Sequence, residues 1–282
     1  MREPITTAEN PNVRDADAAV LSVLMPVYNE AKSIEMVVRR VLALGAVVKE
    51  VVVVNDGSTD RTAEILESLA KEDARIRCFR LERNQGKTAA IRLALAQASG
   101  EILIIQDADL EYDPTDIPSI IEPILTGVAD VVYGSRFLVR RATRVLYFYH
   151  YIANSCLTFL SNLLTNRNMS DIETCYKAFR AAVIKPLELT SKGFGLEVEI
   201  TAMVCRTKAR TFEVPISYYG RTYEEGKKIS LRDGVAALFY ILYYNLVKPH
   251  LPAGHKYVRT VNTHLTSSPH FCHDAGLRKI TL

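Results

Sequence analysis

Glu50-Val51-Val52-Val53-Val54-Asn55-Asp56-Gly57-Ser58 decides the fold. Val51 to Val54 form an unbroken β-branched run, the pattern of a central strand covered on both faces. It ends on a cluster of turn formers, after which Thr59 or Asp60 is placed to cap a helix reaching about Leu69. Working outward, Leu21–Met25 is a short apolar strand stopped by Pro26. Ser33–Leu44 has apolar residues at helical spacing, with Gly45 where a helix would stop. Arg75–Leu81 predicts a strand, Lys87–Gln97 a helix, Glu101–Gln106 a buried strand, Ile117–Leu125 a helix and Asp130–Tyr133 a strand. Strand and helix alternate, so the expected fold class is α/β: a mostly parallel central sheet with flanking helices and short loops at the carboxyl ends of the strands. Helices are expected over 144–165, 195–207 and 230–247, with a strand-like piece at Thr211–Ser217.

The 282 residues suffice for one large domain. Residues 1–20 carry no leader pattern and read as an arm, residues 21–248 as a single domain, and residues 249–282 as a polar, irregular tail. A net charge of only +3 leaves no nucleic-acid footprint. The five cysteines are scattered without a C-x-x-C pair, which argues against a zinc ribbon or a disulfide scaffold and fits a reducing cytoplasm. Of the two apolar stretches, 145–164 holds His150, Asn154, Ser155, Ser161 and Asn162 and is too polar for a membrane span, while 235–247 is too short.

In an open α/β sheet, ligands bind outside the carboxyl ends of the strands. Three loops there carry unusual polar residues: Pro26-Val27-Tyr28-Asn29-Glu30, Asn55-Asp56-Gly57-Ser58 and Asp107-Ala108-Asp109. Two carboxylates one residue apart at a strand end are suited to share a hard cation, Mg²⁺ or Mn²⁺, that also binds substrate phosphates. Taken alone the pair reads equally well as capping acids in a turn; the convergence of the three loops favours the site. Gly86-Lys87-Thr88 imitates a P-loop, but the required earlier glycine is Leu81, inside a strand, which rules that motif out. Lys87 opens a helix and reads either as a phosphate contact or as a solvated surface lysine. No Gly-x-Gly-x-x-Gly follows a strand, which argues against a dinucleotide oxidoreductase.

The ordered set Val23-Leu24-Met25-Pro26-Val27-Tyr28-Asn29-Glu30, Val53 to Asp60, Asn84-Gln85-Gly86-Lys87, Asp107-Ala108-Asp109-Leu110-Glu111, Gly134-Ser135-Arg136, Thr174 to Arg180, and Pro215-Ile216-Ser217 through Arg221 to Lys227 resembles the family-two glycosyltransferases of GT-A fold. Within them it is similar to the dolichol- and polyprenyl-phosphate sugar synthases, from about Leu21 to Lys248. The resemblance implies a base and ribose pocket of Pro26, Tyr28, Glu30, Val54 and Asp56. It implies a diphosphate and metal site of Asp107, Ala108, Asp109 and Glu111, with Asp107, Asp109 and Glu111 as metal ligands. It places Arg136 at phosphate or sugar, and Arg221 and Lys227 over the donor diphosphate, with Asp109, Arg136 and Lys227 at the chemistry. Glu111 stands where relatives often carry Gln, and Asn55 where they often carry Asp.

A nucleoside-diphosphate sugar is therefore the expected donor and a polyprenyl phosphate the expected acceptor, in an inverting displacement. The runner-up acceptor is a hydroxyl of a polysaccharide or small molecule; a nucleotide-sugar-binding regulator and a nucleotidyltransferase are the competing classes. The aromatic-rich start of 144–165 offers Arg144 and His150 to an acceptor phosphate, although His150 reads equally as an ordinary core histidine. Aromatics beside basic residues also suit peripheral membrane contact or a membrane partner protein, which places the expected location at the cytoplasmic face of a membrane. Tyr219–Lys228, with Gly220 and Gly226, has the composition of a lid.

Overall fold

The structure is a computed structural model that describes residues 19–138, 144, 147–193, 195–220 and 231–267. The elements run β1 (Leu21–Val27), α1 (Ile34–Leu42), β2 (Val48–Asn55), α2 (Thr62–Glu72), β3 (Ile76–Arg80), α3 (Lys87–Gln97), β4 (Ile102–Ile105), α4 (Ile117–Leu125), β5 (Val131–Ser135) and α5 (Phe148–Thr165). They continue with β6 (Lys177–Arg180), α6 (Ala181–Ile184), α7 (Gly195–Val204), β7 (Thr211–Pro215), α8 (Leu231–Leu246) and α9 (Pro252–Ser267).

The strands form one seven-stranded sheet in the order β3-β2-β1-β4-β6-β5-β7. The β-branched run behaves as its composition demands: Val51 to Val54 are fully buried at the heart of the core. β1 pairs in parallel with β2 on one side and β4 on the other, Val23 lying opposite both Val51 and Ile104. Strand order turns at β1, and such a switch point opens a crevice beyond the carboxyl ends of its neighbours. The three polar loops all leave the sheet at that edge.

β6 is antiparallel to both β4 and β5. It therefore enters the sheet from the crevice edge and brings residues 171–176 there. The alternating reading does not contain this strand, because four residues that begin with a lysine and end with an arginine carry no apolar run. A second difference lies past Pro249, where the sequence predicts an irregular tail. Pro252–Ser267 is instead a helix, packed through Gly254, Tyr257, Val261 and Leu265. Those four positions form a single narrow stripe on an otherwise polar surface, too thin to show as amphipathic periodicity. Gly254 sits so close to Lys248 that an added Cβ would lie 2.3 Å from its carbonyl oxygen.

Candidate functional site

The first two loops are stitched together. Asn29, in the left-handed region at φ 54°, accepts from the Thr59 amide at 2.8 Å and donates its own amide to Ser58 Oγ at 2.9 Å. The Glu30 amide donates to Thr62 Oγ1 at 3.0 Å, the Ala31 amide to Asp60 at 3.2 Å, and the Asp56 amide to the Val27 carbonyl at 2.8 Å. This mesh leaves Tyr28 well exposed at the crevice, while the Glu30 carboxylate accepts from Ser33 Oγ at 2.8 Å. Pro26 lies opposite Val54 across the sheet. The Val54 side chain is fully buried and belongs to the core, so of this expected pocket pair only Pro26 keeps an accessible side chain.

Asp56 is also almost wholly buried. Its two oxygens accept from the backbone amides of Gln85 at 2.8 Å and Gly86 at 2.7 Å. Charge-assisted bonds of this kind fix the approach to α3. Gly57 makes the same approach possible: it has φ +70°, and a Cβ there would lie 2.7 Å from the Arg83 carbonyl carbon. The anchored stretch delivers Lys87 at the start of α3. Its Nζ lies 2.8 Å from Asp107 Oδ1 and 2.9 Å from Glu197 Oε1. Burial works against the ammonium charge, but Asp107 and then Glu197 more than offset it and raise the Lys87 pKa. Lys87 is thus not a solvated surface lysine; it bridges two carboxylates.

Asp107 follows β4 into the crevice, and Ala108 is buried behind it. Asp109 Oδ1 accepts from the Glu111 amide at 3.2 Å, closing the turn. Glu111 faces elsewhere: its carboxylate accepts from the Tyr218 hydroxyl at 2.9 Å, and its carbonyl from the Tyr219 amide at 2.8 Å. Among the described residues no three His, Cys, Asp or Glu side chains gather closely enough to hold a metal ion. Of the expected trio Asp107, Asp109 and Glu111, the third carboxylate accepts from Tyr218 and the first pairs with Lys87 in this structure. What remains still fits a divalent cation in its chemistry. Two hard oxygen donors stand at one strand end, and Mg²⁺-type sites use one or two carboxylates plus substrate phosphates.

Arg136 leaves the end of β5 and meets Asp171, with Nε 2.6 Å from Oδ2 and Nη2 2.7 Å from Oδ1. Nη2 also donates to Asn154 at 3.2 Å, and the guanidinium lies 5.2 Å from the Tyr218 ring centroid. Burial opposes its charge, yet Asp171 raises its pKa further. The Nε–Nη2 edge of the guanidinium is thus held side-on by Asp171. Arg144 donates to the Gly220 carbonyl at 3.1 Å. His150, near the start of α5, has its ring 5.6 Å from that of Tyr147. Arg221, Lys227 and Lys228 lie outside the described residues, as does most of the expected lid.

Sequence reasoning missed Glu197, Asp171 and Tyr218. None carries a local signal; each is brought to the edge by topology. Behind Glu197, burial first and the Glu197 charge second push the Glu173 carboxyl up to about 7, and Glu173 Oε1 is buried without a hydrogen-bond partner.

Residues 22–187 match the family described as Glycosyl transferase family 2. The chain is 29% identical over 210 residues to the dolichol-phosphate mannosyltransferase of Pyrococcus furiosus, covering 73% of this chain and 58% of that protein. It is 32% identical over 217 residues to an undecaprenyl-phosphate 4-deoxy-4-formamido-L-arabinose transferase of Edwardsiella ictaluri, covering 73% and 62%. It is 31% identical over 193 residues to the dodecaprenyl-phosphate galacturonate synthase of Rhizobium johnstonii, covering 66% and 54%. The chain thus spans between about half and three-fifths of the length of these relatives. Among solved structures, glucosyl-3-phosphoglycerate synthase from Mycobacterium tuberculosis in complex with uridine diphosphate superposes with a TM-score of 0.62 at 20% identity, covering 80% of this chain and 79% of that one. The same enzyme with Mn²⁺, uridine diphosphate and glucosyl-3-phosphoglycerate gives 0.60 at 19% identity, covering 80% of each chain. At that identity the likeness establishes the α/β fold alone.

Proposed function

Because this chain belongs to glycosyl transferase family 2, we propose that it moves a hexose from a nucleoside-diphosphate sugar to a polyprenyl monophosphate with inversion at the anomeric carbon. One observation carries the reading: Asp107 and Asp109 stand at the carboxyl end of β4, beside the switch at β1, facing two loops already fixed by their own hydrogen bonds. The similarity to an undecaprenyl-phosphate sugar transferase and a dodecaprenyl-phosphate galacturonate synthase supports the acceptor class.

In this reading Tyr28 and Pro26 line the base and ribose region, and Asp56 holds Lys87 near the diphosphate. Asp109 and Asp107 would hold Mg²⁺ or Mn²⁺, which when bound neutralises charge on the departing diphosphate. A phosphate monoester is largely ionised at neutral pH, its second pKa being about 6. The acceptor therefore attacks without a strong general base, and the protein contributes positioning and charge stabilisation. Arg144 and His150 at the head of α5 are the acceptor-phosphate candidates. The site of action in this reading is the cytoplasmic face of a membrane. Among the described residues no helix is long and apolar enough to cross one, but α5 and α8 pack together and expose Phe148, Tyr149, Phe159, Leu163, Phe239 and Leu242, a composition suited to an interface.

The test is a panel of nucleoside-diphosphate sugars labelled in the sugar, incubated with Mn²⁺ and either polyprenyl phosphate or soluble hydroxyl acceptors. Label entering the lipid phase as a phosphodiester is the expected result. Transfer to hydroxyl acceptors alone would reject the acceptor class, and pyrophosphate release from a nucleoside triphosphate would reject the reaction class.

A further inference from the structure

Lys87 sits between two carboxylates that differ in position and in freedom. Asp107, 24% exposed, lies at the crevice; Glu197, 10% exposed, lies behind it. Glu197 belongs to the first turn of α7, a helix buried at every one of its ten residues. Deeper still, the buried Lys177 ammonium donates to the Thr174 carbonyl, and Glu197 is the strongest charge favouring its protonated form against burial. Glu197 is therefore fixed, while Asp107 faces solvent on one side.

A divalent cation arriving at Asp107 meets an ammonium already there. Two cations on one carboxylate repel each other, and the Lys87 ammonium, only partly exposed, keeps a close counter-charge only if a second carboxylate retains it. Glu197, already within 2.9 Å, does so. We infer that Glu197 is a positioning residue for cation loading: it keeps Lys87 in place when Asp107 turns to the divalent cation, and so sets how strongly Lys87 competes for Asp107. The inference rests on the proposed function in one respect, the assignment of Asp107 as a cation ligand.

Mn²⁺ binding to the full chain without donor, followed by the loss of free-ion electron paramagnetic resonance signal, tests it. Glu197→Gln should weaken Mn²⁺ binding by roughly ten-fold, the lower end of what partners of metal ligands contribute. Lys87→Met should tighten it by a similar factor. The double variant should bind like Lys87→Met, since no lysine remains to compete. If Glu197 acted only through its general negative field, the two effects would instead add and return the double variant to the parent affinity, which overturns the inference. So does a Glu197→Gln variant with unchanged affinity. Where Glu197→Gln fails to fold, Glu197→Asp is measured in its place, with intermediate weakening expected; unchanged affinity there, or a Lys87→Met variant that binds no more tightly, is equally fatal. Asp107→Asn separates the two levels. If it leaves Mn²⁺ binding intact, the assignment of Asp107 falls and this inference with it. If it abolishes binding while Glu197→Gln matches the parent chain, the inference alone falls.

Discussion

Replacing Asp171 with Asn separates a structural clamp from a phosphate ligand at Arg136. Asp171 is fully buried, accepts from Nε and Nη2 of the guanidinium at 2.6 and 2.7 Å, and also accepts the Arg136 amide at 3.2 Å. Asparagine keeps the shape and one acceptor but removes the charge, leaving a guanidinium only 16% exposed with Asn154 and the Tyr218 ring for company. Removing one partner of a buried pair costs about 3–5 kcal/mol. The Tyr218 contact is present in both parent and variant and cancels, so the loss stands at about 3–5 kcal/mol. In a chain of this size that corresponds to a fall in Tm of roughly 5–10 °C. Urea denaturation and calorimetry read it directly. The double variant Arg136→Gln/Asp171→Asn no longer strands a charge, and its loss should fall short of the sum of the singles by at least ~2 kcal/mol. Additivity within ~0.5 kcal/mol, with Asp171→Asn near the parent stability, would mean that Arg136 does not depend on Asp171 and stands ready for a ligand.

Asp109→Ala should abolish transfer while shifting stability by only about 1 kcal/mol, the worth of the turn bond to the Glu111 amide; near-normal turnover defeats its role. Gly57→Ala combines a left-handed φ with a Cβ 2.7 Å from the Arg83 backbone and should cost about 1–3 kcal/mol and weaken nucleotide binding, whereas Gly45→Ala, with open space around it, should leave nucleotide binding alone. Two carboxyls give opposite pH slopes. At Glu50, burial favours the neutral form, but Ser22, Ser99 and Arg77 outweigh it and hold the pKa at about 2, so its contribution is complete above about 4.5 and is lost as pH falls toward 2; Glu50→Gln should flatten that acid limb. At Glu173, raised to about 7, the folded chain keeps a proton that the unfolded chain releases, so stability should fall as pH rises from about 4.5 to 7, and Glu173→Gln should remove that slope. For the membrane, Phe159→Glu with Phe239→Glu, both on exposed positions of α5 and α8, should reduce co-sedimentation with anionic vesicles several-fold; unchanged binding would reject that surface.

The middle of the sheet was legible because β2 and β4 carry unbroken apolar runs. Val51 to Val54 and Ile102–Ile105 have no polar face to confuse with a loop or a helix, and both are followed within three residues by turn-forming Asp. The three polar loops could be placed at one edge for the same reason: in a parallel sheet, where a strand ends is also where a ligand binds. β6 escaped because a strand of four residues with a buried lysine contradicts the apolar rule, and Lys177 is compensated there by the Thr174 carbonyl, the Tyr133 ring and the nearby acids, Glu197 first. α9 escaped because Tyr257, Val261 and Leu265 are separated by Thr, Asn and His.

The site was legible as a list of positions but not as a set of pairs, and the reason is topological. Local patterning says that Lys87 begins a helix and that Asp107 ends a strand. It is silent about Glu197, 110 residues further on, because nothing within a window of sequence reports which strand lies beside which. The antiparallel insertion of β6 between β4 and β5 decides that question. It carries residues 171–176 to the crevice edge, where Asp171 meets Arg136 and the Cys175 amide meets the Tyr112 hydroxyl at 3.0 Å. Lys87 and Arg136, two of the cations the sequence offered to a phosphate, therefore arrive already facing a carboxylate. A donor diphosphate entering this crevice must compete with those carboxylates for Lys87, so the affinity of the site is governed by how readily the existing pairs rearrange as much as by the number of basic residues that line it.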